Sequence, residues 1–91
     1  MCRNIKPLFN FDPPATDADV RNASVQFVRK LAGFTKPSQA NEAAFERAVD
    51  EIAASARTLI DSLVTSAEPR DRAEWAAKMR EKSHARYAAR D

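Results

Sequence analysis

The clearest hydrophobic repeat runs through the middle of the chain. Apolar residues follow one another there at intervals of four, three, four, three and four positions, at Phe45, Val49, Ile52, Ala56, Leu59 and Leu63. This heptad spacing predicts a long amphipathic helix after Pro37, capped by either Ser38 or Asn41. A helix of roughly 26 residues would be about 39 Å long.

A shorter amphipathic stretch comes before it and has well-defined ends. Thr16, followed three residues later by Asp19, resembles a capping box and predicts the start of a helix. Gly33 suits a left-handed helix cap, and Pro37 prevents the helix from continuing. The predicted apolar stripe between these signals, with Ser24 and Val28 beside it, consists of Val20, Ala23, Phe27 and Leu31.

The N-terminal segment has no helical period. Three prolines among its first 15 residues predict an ordered coil arm. We expect Leu8, Phe9 and Phe11 to anchor this arm on the open side of the two helices. The arm is then a structural element.

A third helix is predicted at the C-terminus, with Pro69 as its first residue. Trp75 and Met79 share one face of it, and most of the remainder is polar. The sequence therefore predicts a single all-α domain over residues 1–91. It has an arm (1–15), an antiparallel helical hairpin (16–68) and a basic C-terminal helix or tail (69–91) that lies partly outside the core.

Composition supports this fold class and excludes several others. The chain has one glycine and one cysteine in 91 residues, which argues against sheets built on tight turns and excludes an internal disulfide. No apolar run approaches the roughly 20 residues of a membrane-spanning helix, and the chain does not open with a signal-peptide pattern. We expect a cytoplasmic protein that does not bind membranes.

The charge is unevenly distributed along the chain. The net charge is +2, made up of −1 over residues 1–69 and +3 over residues 70–91. A basic helix with interleaved aromatic residues can bind phosphates and stack on RNA bases. Acidic neighbours such as Asp71, Glu74 and Glu81 could instead make it an ordinary solvated face. The candidate nucleic-acid-binding residues are Arg70, Arg72, Lys78, Arg80, Lys82, Arg86 and Arg90.

Catalysis has one remote candidate, Cys2. Removal of Met1 would leave a thiol and an α-amino group on one residue, as in N-terminal nucleophile enzymes, and Arg3 would favour the thiolate. The chain offers no glycine-rich loop for an oxyanion hole, so we interpret Cys2 as packed or exposed. Zinc needs four ligands, whereas only Cys2 and His84 are nitrogen or sulfur donors of the usual kind. We expect no metal and no cofactor. The connector GFTKPS has too few glycines for a phosphate loop.

Two stretches carry a resemblance to a known family. The opening MCRNIKPLFNFDPPAT and the segment FVRKLAGFTKPSQANEAAFERAVDEIA, followed by LIDSLVT and PRDR, resemble the mainly bacterial domain-of-unknown-function family DUF2277. The resemblance covers most of residues 1–72. It implies a compact helical cytoplasmic protein and carries over no catalytic residues.

These observations favour a noncatalytic protein-interaction module. Its partner would be another protein or a second copy bound through the heptad seam, at Phe45, Val49, Ile52, Leu59 and Leu63. The alternative is a protein that associates with RNA or the ribosome through its basic C-terminal helix. An enzyme that uses Cys2 is the remote alternative.

Overall fold

A computed structural model describes residues 5–89 and, within them, the side chains of residues 5–84. The elements in chain order are strand β1 (Phe11–Asp12), helix α1 (Asp17–Ala32), a short 3-10 helix (Gln39–Asn41), helix α2 (Glu42–Ser62), strand β2 (Arg70–Asp71) and helix α3 (Arg72–Ala89). The prediction of a mainly helical protein is confirmed.

The strict all-α prediction is wrong at one point, because β1 and β2 pair in parallel. Phe11 lies opposite Arg70, and Asp12 lies opposite Asp71. The scarcity of glycine did not exclude this pairing, because parallel strands need no tight turn. Here the connection between the strands contains α1 and α2. The arm is therefore not coil throughout.

The described chain divides into two compact units. The first comprises residues 5–9 and Ala15–Val64, and it contains α1 and α2. The second comprises Asn10–Pro14 and residues 65–89, and it contains both strands and α3.

Helix α1 has both of the ends that the sequence predicts. The backbone N–H of Thr16 donates to Asp19 Oδ2 at 2.9 Å, and the N–H of Asp19 donates to Thr16 Oγ1 at 3.1 Å. This reciprocal pair is a capping box. Gly33 ends the helix in the left-handed conformation, with φ of 81°, and its N–H donates to Arg29 O.

The buried face of α1 contains Val20 of the predicted stripe and the two residues predicted beside it. Val20, Ser24 and Val28 are buried, whereas Phe27 and Leu31 are 43% and 70% exposed. Ser24 tolerates burial because its hydroxyl donates to Val20 O at 2.8 Å. Phe27 and Leu31 were therefore wrongly assigned to the core.

Helix α2 is shorter than predicted, with 21 residues. Neither predicted cap makes a side-chain hydrogen bond to the helix backbone, and Asn41 Nδ2 instead donates to Ser38 Oγ at 2.9 Å. The 3-10 helix takes up the first residues of the predicted span, and Leu63 is already extended. The seam consequently ends in exposed residues.

The core of the first unit forms where α1 and α2 meet. Val28, Phe45 and Val49 are buried against one another, with Val25, Ala48 and Ile52 packed beside them. Phe34, just after α1, stacks on Phe45 near the start of α2, with ring centroids 6.0 Å apart. Near the other end of α2, Arg57 contacts Ala15 and Asp17. The two helices thus run in opposite directions.

In the second unit, Phe11 packs on the start of α3. Its ring is 4% exposed and meets the Trp75 ring edge-on, with centroids 5.6 Å apart. These contacts lie within the second unit, and the anchoring of the arm on α1 and α2 stays a prediction. Helix α3 also begins later than predicted, at Arg72 instead of Pro69, since Arg70 N–H donates to Asn10 O in the strand pairing. Asp71 caps the helix by accepting from the N–H of Glu74.

Candidate interaction surfaces

One edge of the α1–α2 pair is held by ion pairs. Arg21 Nη1 contacts Asp50 Oδ1 at 2.9 Å, and its Nη2 contacts Glu46 Oε2 at 3.0 Å. Further along, Arg57 contacts Asp61 at 2.9 Å and Asp17 at 3.6 Å. We call this set of residues the ionic edge. Its side chains are largely exposed, so each pair adds little to stability.

Hydrogen bonding within the ionic edge favours the charged forms of Arg21, Arg57 and Asp61. Hydrogen bonds to Asp50 raise the pKa of Arg21, and hydrogen bonds to Asp61 raise the pKa of Arg57. The same bonds from Arg57 lower the pKa of Asp61 from its ordinary value of 3.8. The ionic edge is thus internally paired.

The edge of the α1–α2 pair that lies opposite the ionic edge is apolar. On a helix, residues four apart form rows, and the core rows here are Val20–Ser24–Val28 and Phe45–Val49. Arg21 lies on one side of the first row, and Glu46 and Asp50 lie on the corresponding side of the second. Because α1 and α2 run in opposite directions, the rows on the other side also meet. We call these six residues the apolar edge: Ala23, Phe27, Leu31, Ala44, Ala48 and Ile52.

The apolar edge combines large exposed residues with a small-residue floor. Phe27 and Leu31 project from α1 with much of their surface exposed. On α2, a shallow open hollow of about 400 Å³ is lined by Ala43, Ala44, Arg47, Ala48 and Glu51. The next rows outward are polar, with Gln26 and Lys30 on α1 and an Arg47–Glu51 ion pair on α2. Sequence reasoning missed this edge because it placed the 23–27–31 row in the core.

The predicted dimer seam is not a continuous exposed stripe. Phe45 and Val49 are buried within the chain's own core, and Ile52 is half-buried beside them. Leu59 and Leu63 are 58% and 43% exposed. Only the later part of the seam is open to another molecule.

Two of the predicted nucleic-acid-binding residues are engaged with Phe11. The guanidinium carbon of Arg70 is 4.3 Å from the ring centroid, and that of Arg72 is 4.9 Å away. Arg72 Nε also donates to Pro13 O at 3.1 Å, while its Nη2 is buried and finds no hydrogen-bond partner among the described residues. These cation–π contacts give both arginines a structural role in the second unit.

The other predicted nucleic-acid-binding residues differ in how much of them the structure describes. Lys78, Arg80 and Lys82 are exposed on α3, with the acidic Glu74 and Glu81 exposed on the same helix. The side chain of Arg86 and the whole of Arg90 lie outside the described residues. Charge on the described part of α3 is therefore mixed.

The candidate catalytic and metal residues form no site in the described part of the chain. Cys2 and Arg3 lie outside it, and His84 is exposed. Among the described residues, no group of three or more potential ligands lies close enough to hold a metal ion. The GFTKPS connector borders an open depression of about 260 Å³, where Arg29 Nε donates to Thr35 O at 2.9 Å. Arg29 is thereby used to hold the connector.

The fold and its surfaces define a small helical protein with an exposed apolar edge. Residues 1–78 match the family described as "Uncharacterized conserved protein (DUF2277)", and the chain belongs to this family. No match was found among curated proteins or solved structures. Within the described residues, no helix has the length and apolar character needed to cross a membrane.

Proposed function

We propose that this DUF2277 protein is a noncatalytic protein-interaction module that binds another folded protein through its apolar edge. The observation that carries the proposal is the exposure of Phe27 and Leu31 on the edge opposite the ion pairs. Contiguous exposed apolar residues on a soluble protein commonly mark an interaction site.

The arrangement of residues around the edge supports this function. Protein interfaces typically have an apolar centre within a polar rim. Here the centre is the apolar edge, and the rim consists of Gln26, Lys30, Arg47 and Glu51. The partner surface that fits would be an apolar helix face with its own polar borders.

The proposal also includes the finer architecture and setting predicted from the sequence. We take the chain as a single domain with an N-terminal arm, an antiparallel helical hairpin and a third, basic helix partly outside the core. We further propose that it acts in the bacterial cytoplasm and needs no cofactor.

Site-specific photocrosslinking in cells tests the proposed surface. A benzoylphenylalanine in place of Phe27 keeps an aromatic ring at the apolar edge and should form protein adducts on irradiation. The matched control carries the same group in place of Val64, which is 92% exposed and outside the edge. Adducts at position 27 and none at position 64 are expected, whereas equal adduct patterns at both positions would contradict the proposal.

A further inference from the structure

We infer that the partner bound at the apolar edge is the apolar edge of a second copy of this chain. This inference rests on the proposed function and names its partner. In a two-fold dimer the same surface is used by both copies, so that surface must be complementary to itself. Shape, register and charge at the apolar edge all meet this condition.

The shape of the edge is self-complementary because its large and small residues lie on different helices. Phe27 and Leu31 project from α1, whereas the hollow on α2 is lined by Ala43, Ala44 and Ala48, with the Arg47–Glu51 ion pair at its border. A two-fold axis parallel to the helices places α1 of each copy over α2 of the other. The large residues of each copy then fill the hollow of its partner.

The register of the two helices brings these residues to the same level. Val28 clusters with Phe45 and Val49, and Phe34 stacks on Phe45. Leu31 lies between Val28 and Phe34 in the sequence, so it is level with the first turns of α2. Rotation about an axis parallel to the helices preserves that level. Leu31 of one copy therefore meets Ala44 and Ala48 of the other.

The charges of the rim are also complementary. Lys30 borders the edge on α1, and Glu51 borders it on α2, where its Oε1 accepts from Arg47 Nε at 3.1 Å. Glu51 has a second carboxylate oxygen that can accept from another cation. In the dimer Lys30 of each copy is nearest the level of Arg47 of the other, and Glu51 lies about one turn further along α2. Side chains on a helix lean toward its N-terminus, so in these antiparallel helices Lys30 and Glu51 lean toward each other and can form two equivalent ion pairs.

The resulting assembly supplies a layer that the first unit lacks. Among the described residues, its buried hydrophobic cluster is formed by Val28, Phe45 and Val49. Helix bundles more commonly enclose a shared core between four helices. Two copies joined at the apolar edge form four helices, each antiparallel to its neighbours, with Phe27 and Leu31 in the shared core.

Sedimentation equilibrium of the full-length chain over a range of concentrations tests this dimer. The wild type should sediment at twice the chain mass. Leu31→Glu should raise the dimer dissociation constant by about 100-fold or more, because it buries two unpaired carboxylates at the interface. Leu31 is 70% exposed in the single chain, so the variant should keep the wild-type circular dichroism. Val64→Glu is the matched control and should remain dimeric.

Charge reversal tests the predicted pairing of the rim. Lys30→Glu and Glu51→Lys should each weaken the dimer by about 2- to 30-fold, since each substitution affects two equivalent exposed pairs. The double variant should recover most of the wild-type affinity. A double variant as weak as both single changes combined would overturn the pairing of α1 with α2 of the second copy.

Failure of this inference can be distinguished from failure of the proposed function. A wild-type chain that stays monomeric, or a dimer that survives Leu31→Glu, overturns the second copy as the partner. If position 27 then crosslinks to a different protein, the interaction module stands without the dimer. If position 27 gives only the adducts of position 64, both proposals fail.

Discussion

Phe11 is held by residues far away in the sequence. Arg70 and Arg72 lie over its ring, and Trp75 meets its edge. The ring interactions partly offset the cost of burying an Arg72 nitrogen without a hydrogen bond. Sequence reasoning predicted that Phe11 would be buried but not by what, because nothing local links it to residues some 60 positions away. For the same reason, the contacts of both arginines with this ring could not be predicted from the sequence.

At the scale of this residue, Phe11→Ala should destabilise the second unit. Loss of a buried phenylalanine costs about 3–5 kcal/mol, through lost burial and the cavity left behind. Urea unfolding monitored by Trp75 fluorescence measures this, since Trp75 is the only tryptophan and contacts the deleted ring. Val64→Ala, at a highly exposed position, should change stability by less than about 0.5 kcal/mol. Coincident unfolding curves for Phe11→Ala and the wild type would show that the ring is not packed as described.

Individual helices show which features the sequence encodes locally. The capping box at Thr16 and the Gly33 cap could be predicted because each involves residues within one turn. Which row of α1 is buried could not be predicted, because the helix carries two adjacent rows of similar character, 20–24–28 and 23–27–31. In the structure the buried 20–24–28 row accompanies the pairing of Arg21 with Glu46 and Asp50 on α2. That pairing becomes visible only when the two helices are placed together.

The end of α1 gives a prediction at the scale of the element. Gly33 has φ of 81°, and a Cβ added there would meet nothing within 4 Å. Any cost of substitution is therefore backbone strain. We expect Gly33→Ala to lower the free energy of unfolding by about 1–2 kcal/mol. Gly33→Asn should cost less, because asparagine visits the left-handed region more readily. Thermal unfolding monitored by circular dichroism compares the two, and an alanine variant as stable as the asparagine variant would contradict the argument.

The charge of the whole molecule must be weighed by where its cations are used. Residues 70–91 carry a net charge of +3, which made the C-terminal segment the basic candidate for nucleic acid. In the structure Arg70 and Arg72 pack on Phe11, and the exposed cations of α3 lie among exposed carboxylates. Composition predicts net charge but cannot separate a cation that binds a ligand from one that holds the fold. Arg70 and Arg72 thus have contacts within the fold, while binding of nucleic acid by the other cations of α3 stays a prediction.

The proposed function makes a prediction for the whole chain, purified without a tag at low salt. We expect the preparation to be free of polynucleotide, with the same ratio of absorbance at 260 and 280 nm in wild type and variants. The test pair is Lys78→Glu with Lys82→Glu, one turn apart on α3, and the matched control pair is Lys6→Glu with Lys36→Glu. All four lysines are exposed, and neither pair disturbs the contacts of Phe11. Phosphate contacts weaken steeply as salt rises. Nucleic acid that follows the wild type and the control pair, is lost from the test pair and dissociates in high salt would instead make α3 a nucleic-acid interface.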